Sequence, residues 1–136
     1  MSIDSVRAIG SNTPYAVALS DDLGHTWTGD EPESLGGGNT GPSPSRLILS
    51  GLASCTVVTV QMYASRKQWP LSGIEVEVQW NPNGKPDDGA TEMRRRVTLR
   101  GDLSAEQRER LLQIANACPM HKALTGIIRV PTELQD

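Results

Sequence analysis

Positive charge is in short supply in this sequence. Thirteen Lys and Arg stand against 16 Asp and Glu, for a formal net charge of −3. That balance argues against a concentrated basic face, the usual footprint of a nucleic-acid binder. The nearest basic cluster, Arg94, Arg95 and Arg96, would alternate between the two faces of a strand and form no continuous patch. Uninterrupted apolar runs are short too. None approaches the roughly 20 residues of a membrane span, so no membrane partner is expected. Residues 1–10 carry Asp4 and Arg7 without a long apolar stretch and do not read as a secretory signal, which makes a cytoplasmic location the expectation. There is no internal repeat and no linker between two cores, so residues 1–136 read as one domain. Cysteine is limited to Cys55 and Cys118. In a reducing compartment such a pair makes a poor permanent staple. The two are buried small hydrophobes, metal ligands or redox-active thiols.

Enough apolar residues are present, at 37%, to build a core. Residues 3–9, 15–20 and 25–28 read as short strands separated by turn residues. Residues 29–44 read as a long loop with five glycines and three prolines, and loops of that length are usually functional or disordered. Its Gly36-Gly37-Gly38 run could cradle an anion, but the Lys-Ser/Thr ending of a phosphate loop is missing. Ser43 and Pro44 then open a helix over 44–67, apolar on most sides, which suggests burial against a second subunit. Strands follow at 74–80 and 92–100, with Val97 and Leu99 facing inward. Ser104 and Gln107 have the spacing of a capping box and start a second helix. Leu111, Ile114, Ala115 and Cys118 fall on one face of it, with a break at Pro119. A short helix over 120–124 and a final strand over 127–130 complete an α+β pattern.

Reactivity at Cys55 requires a nearby cation or helix N-terminus to ionise it. Arg7 and Arg46 are candidates, because a fixed guanidinium also hydrogen-bonds a peroxide oxygen. Cys118 must then reach the oxidised sulfur, and a separation of 63 positions cannot show that the two meet. Cys118 and His121 have a Cys-x-x-His spacing. With Cys55 and His25 they would make four ligands for zinc, although one isolated pair is a weak metal signal and no metal is expected.

Two separated stretches resemble the signatures of the OsmC/Ohr family. The first runs through Asp30-Glu31-Pro32, Leu35-Gly36-Gly37 and Thr40-Gly41-Pro42-Ser43-Pro44 to Leu52-Ala53-Ser54-Cys55-Thr56, and continues in Met62-Tyr63-Ala64 and Trp69-Pro70-Leu71. The second comprises Gly101-Asp102-Leu103, Ile114-Ala115 and Cys118-Pro119-Met120-His121-Lys122-Ala123-Leu124. The resemblance implies antiparallel sheets packed on two main helices in an intertwined homodimer, with active sites at the subunit interface. It implies that Cys55 attacks organic hydroperoxides and Cys118 resolves the product as a disulfide. It implies reduction by a thiol, either a small dithiol or a lipoylated protein, with no cofactor. Active relatives carry a glutamate nine or ten positions before the cysteine, where this chain has Arg46 and Ser45. Ser45, Arg46, Arg7 and His121 are therefore the expected thiolate or substrate contacts. The alternative function is a family member that binds an apolar ligand in the interface pocket.

Overall fold

The computed structural model describes residues 3–135. The chain divides into two compact units, Met1–Ile48 and Leu49–Asp136. The first holds an antiparallel sheet in the order β1 (Val6–Gly10), β2 (Val17–Asp21) and β3 (Thr26–Gly29). β2 starts later than the apolar alternation suggests because Tyr15 takes a left-handed backbone at φ 72°, which a strand cannot contain. His25 belongs to the turn before β3. The Asp21 carboxylate accepts the Leu23 and His25 amides at 2.9 Å each and the His25 ring at 2.7 Å.

The long loop is ordered by Asp30, only 2% exposed. Its carboxylate accepts the Glu31, Gly38 and Thr40 amides and the Thr40 hydroxyl. The Thr40 hydroxyl and these amides hold the Asp30 carboxyl down to about 2. The glycine run does wrap an anion, and the anion is the chain's own. Gly41 is required where the loop crosses β3, since a Cβ there would run into the Thr28 carbonyl.

α1 (Pro44–Lys67) begins with the Leu47 amide donating to the Ser43 carbonyl at 3.0 Å and with Pro44 in the first turn. It ends at Gln68, left-handed at φ 57°, where the Trp69 amide reaches back to Ala64. In the second unit Leu52, Thr56, Val60 and Ala64 form its buried stripe, spaced by four. β4 (Leu71–Trp80) pairs antiparallel with β5 (Met93–Gly101), and α2 (Ala105–Ala115) and α3 (Pro119–Thr125) follow. Val60, Ala64, Leu103, Leu111 and Ala115 make the core, with Ile74, Val97 and Leu99 packed against it. Leu111 is fully buried at its centre. Leu111→Ala is expected to cost about 2–5 kcal/mol, the range for a large side chain removed from a packed core, read as a lowered urea midpoint with an unchanged slope.

Three expectations need correction. Residues 127–130 form no strand; Ile127, Ile128 and Val130 are exposed, because a strand needs a neighbour's backbone for its hydrogen bonds and none is paired to it among the described residues. Cys118 is not on the face of α2, which ends at Ala115; it is the N-cap of α3. α1 is long and apolar enough, by length and composition, to cross a membrane. Counting uninterrupted apolar residues missed this, because Ser, Gly and Thr break the run without lowering its average hydropathy much. Only 22% of that 18-residue stretch is buried within the chain.

Candidate functional site

The second unit brings Cys55, Cys118 and His121 together. Cys55 lies on α1 beside the buried stripe and is partly exposed, whereas Cys118 is fully buried. Cys118 Sγ lies 4.0 Å from Oγ1 of Thr56, the residue that follows Cys55. α2 has ended at Ala115, and Cys118, kept out of the helical region by the proline that follows it, takes an extended backbone and caps α3 through its sulfur. The His121 amide donates to Cys118 Sγ at 3.2 Å. Thr56, one residue beyond Cys55 and fully buried, places its hydroxyl 4.0 Å from the same sulfur and donates to the Leu52 carbonyl at 2.7 Å. Burial pushes the Cys118 thiol up, but the His121 amide, the Cys55 thiol, the Thr56 hydroxyl and the Met120 amide hold it below the usual thiol value.

The cation beside this cluster is Arg95. Its Nη1 donates to Thr56 Oγ1 at 3.1 Å, and its Nη2 meets Asn116 Oδ1 at 2.7 Å and His121 Nδ1 at 3.1 Å. Three elements, α1, β5 and α3, are tied by one planar guanidinium. Since arginine only donates, Nδ1 of His121 accepts and the ring proton sits on Nε2. Burial and then the Arg95 charge pull the imidazole below its usual value, so the ring is neutral near pH 7.

Arg95 was absent from the residues singled out in the sequence, yet a signal for it was present. Met93, Arg95, Val97 and Leu99 alternate along β5 and share one face, and Arg95 pairs with Val78 in the inward-facing row of β4. The same alternation that denied a basic patch puts the middle arginine inside.

The remaining candidates lie in the first unit. Arg7 is exposed on β1 opposite Ser20. Arg46 donates through Nη1 to Ser43 Oγ at 2.9 Å, and Ser45 Oγ lies 3.4 Å from that oxygen. His25 is committed to Asp21. Among the described residues no three His, Cys, Asp or Glu side chains cluster as metal ligands. A cavity of about 620 Å³ in the second unit is lined by Leu52, Met93, Val97, Leu112 and Leu124, with Arg95, Asn116 and His121 among its polar groups.

Residues 36–133 match the family description "OsmC-like protein". The fold is similar to that of an OsmC-like protein from Mycoplasma pneumoniae, at TM-score 0.75 and 21% identity, over 93% of this chain and 89% of that one. It is also similar to an organic hydroperoxide resistance protein OsmC from Legionella pneumophila, at TM-score 0.67 and 21% identity, over 93% and 91%. The organic hydroperoxide resistance protein OhrB of Bacillus subtilis aligns at TM-score 0.63 and 24% identity, over 92% of each chain. The α+β fold with antiparallel sheets and three helices is thus the OsmC-like fold. No curated protein matches the chain.

Proposed function

The chain belongs to the OsmC-like protein family, and from that premise we propose that it is a thiol-dependent peroxidase for organic hydroperoxides, working through a Cys55/Cys118 dithiol–disulfide cycle. The observation that carries this reading is that the buried Cys118 sulfur lies 4.0 Å from the hydroxyl of Thr56, the residue next to the partly exposed Cys55, so that two cysteines from distant parts of the chain share one neighbourhood. Cys55 is the sulfur a peroxide can reach. Its attack on the distal oxygen gives a sulfenic acid and releases an alcohol. Cys118 then displaces hydroxide from that sulfur and closes the disulfide. A dithiol, either a small molecule or a lipoylated protein, restores both thiols by exchange.

Arg95 is the guanidinium of this reading, in place of Arg7 or Arg46. It fixes Thr56 beside the pair, and it lines the cavity with His121. Neither cysteine lines that cavity, which reaches the pair only through Arg95 and His121; its apolar walls suit the organic group of a peroxide better than hydrogen peroxide. Val58, Met62, Leu112 and Met120 are between 42% and 50% exposed, a set of large apolar side chains that a second copy of the chain would cover. A cytoplasmic homodimer is accordingly part of the proposal. The test is thiol-dependent consumption of cumene hydroperoxide by the purified protein. Absence of turnover with both monothiol and dithiol donors contradicts it.

The cavity also supports a second reading, an apolar ligand held against Arg95 and His121 in a protein whose cysteines are unreactive. Native mass spectrometry separates the two. A co-purifying ligand on protein whose thiols survive peroxide favours binding over catalysis.

A further inference from the structure

Arg95 carries a charge that no carboxylate neutralises. Its side chain is half-buried, and the partners of its guanidinium, Thr56 Oγ1, Asn116 Oδ1 and His121 Nδ1, are all neutral acceptors. Among the described residues the ion pairs are His25 with Asp21 and Arg100 with Glu75, and neither involves Arg95. Taking a charge partly out of water costs free energy that a counter-charge offsets. His121 stands in the same unbalanced field: burial, and then the Arg95 charge, holds its imidazole below the usual value.

The polar groups left over around Arg95 are donors. Arg95 spends three N–H groups on its partners and keeps Nε–H and a second proton on Nη1. His121 spends its acceptor, Nδ1, and keeps Nε2–H. Asn116 spends its carbonyl oxygen and keeps its amide protons. Among the described residues no buried side-chain nitrogen lacks a partner, so Arg95 Nε and His121 Nε2 reach open space. All three residues line the cavity of about 620 Å³, and among the described residues lining it there is no Asp or Glu. Much of the remaining wall is apolar, with Met93, Val97 and Leu124.

From this we infer that the counter-charge of Arg95 is a ligand: the cavity binds an apolar monocarboxylate, its head group on Arg95 and His121 and its body against Met93, Val97 and Leu124. One cation matches one negative charge. A phosphate monoester carries more than one at neutral pH and would find no second cation in the wall. A carboxylate accepts at both oxygens and brings no proton, which suits a rim of donors, and its hydrogen bonds to a guanidinium are among the stronger ones. An amine is repelled, and an alcohol leaves the charge unmatched. The cavity volume lies in the range of small-molecule sites. The inference rests on the cavity being a ligand site, which both readings above share, and it requires no reactive sulfur. The carboxylate belongs either to the hydroperoxide itself or to a separate acid.

Octanoate, octan-1-ol and octylamine share one apolar body and differ in head group. Each is titrated at neutral pH into the reduced wild-type protein and followed at the methyl resonance of Met93, which lines the cavity. Octanoate is expected to bind roughly tenfold or more tightly than octanol, the weight of a hydrogen bond to a charged group, and octylamine is expected to bind weakest. In Arg95→Met the advantage of octanoate over octanol is expected to vanish. The wild-type series decides by itself if that variant fails to fold. No octanoate binding at Met93, equal affinity for octanoate and octanol, or an octanoate advantage that persists in folded Arg95→Met overturns the inference. A hydroperoxide bearing a carboxylate, compared with its methyl ester, identifies the source and upholds the inference either way: faster turnover of the acid assigns the carboxylate to the substrate, and equal turnover assigns it to a separate acid. Failure of the redox reading would look different, with no peroxide turnover at all and the Met93 titration intact.

Discussion

With Cys55 replaced by serine, hydroperoxide consumption is expected to fall by roughly 10³-fold or more, the scale on which enzymes lose activity when the nucleophile is removed. The argument is steric as well as chemical. A serine hydroxyl does not form the sulfenic acid on which the cycle depends. Cys118 cannot take over, because its sulfur has no exposed surface and is ringed by Thr56, His121 and Cys55. Serine closely matches cysteine in size at this partly exposed site, so the fold is expected to persist. The measurement is peroxide consumption under excess dithiol, paired with circular dichroism to confirm the fold. Residual activity within tenfold of wild type would place the chemistry elsewhere.

Arg95→Met is expected to cost about 10²-fold in kcat/KM, comparable to the removal of a preorganised donor from a reacting centre. One side chain here does three jobs. It holds Thr56 beside the sulfur pair, orders Asn116 past the end of α2, and fixes the His121 tautomer. Methionine keeps much of the apolar stem and removes every donor. Arg95→Lys is expected to restore little, since a point charge on a flexible chain cannot reach three acceptors at once in a fixed fork. Two readouts distinguish this from simple unfolding. The thermal midpoint is expected to move by a few degrees, whereas the pH–rate profile of Cys55 oxidation shifts to higher pH. A variant with unaltered kinetics would remove Arg95 from the mechanism.

The parts of the molecule that could be read in advance are those whose cause is local. Ser104 and Gln107 exchange both capping-box hydrogen bonds, and three residues of spacing are enough to specify that. β4 shows its alternation plainly, with Ile74, Val76 and Val78 turned in and Glu75 and Glu77 turned out. Elsewhere a local rule was overridden. Tyr15 looks like the first residue of a strand, but its backbone is left-handed. Residues 127–130 have strand composition, but among the described residues no backbone offers them a ladder. Arg95 shows the limit most clearly. Charge suggested an exposed residue while alternation placed it on the core face, and the cluster of acceptors that compensates its burial comes from positions 21 to 39 residues away. The meeting of the two sulfurs is of the same kind. It depends on how α1 and α3 pack, and no spacing rule encodes that.

The most direct measurement is a thiol count and peptide map after one equivalent of cumene hydroperoxide is added to the fully reduced protein. The account predicts that both thiols vanish together and that a single peptide pair linked through Cys55 and Cys118 appears within one chain. Two intact thiols, or a Cys55 oxidised to sulfinic acid beside an untouched Cys118, would contradict it.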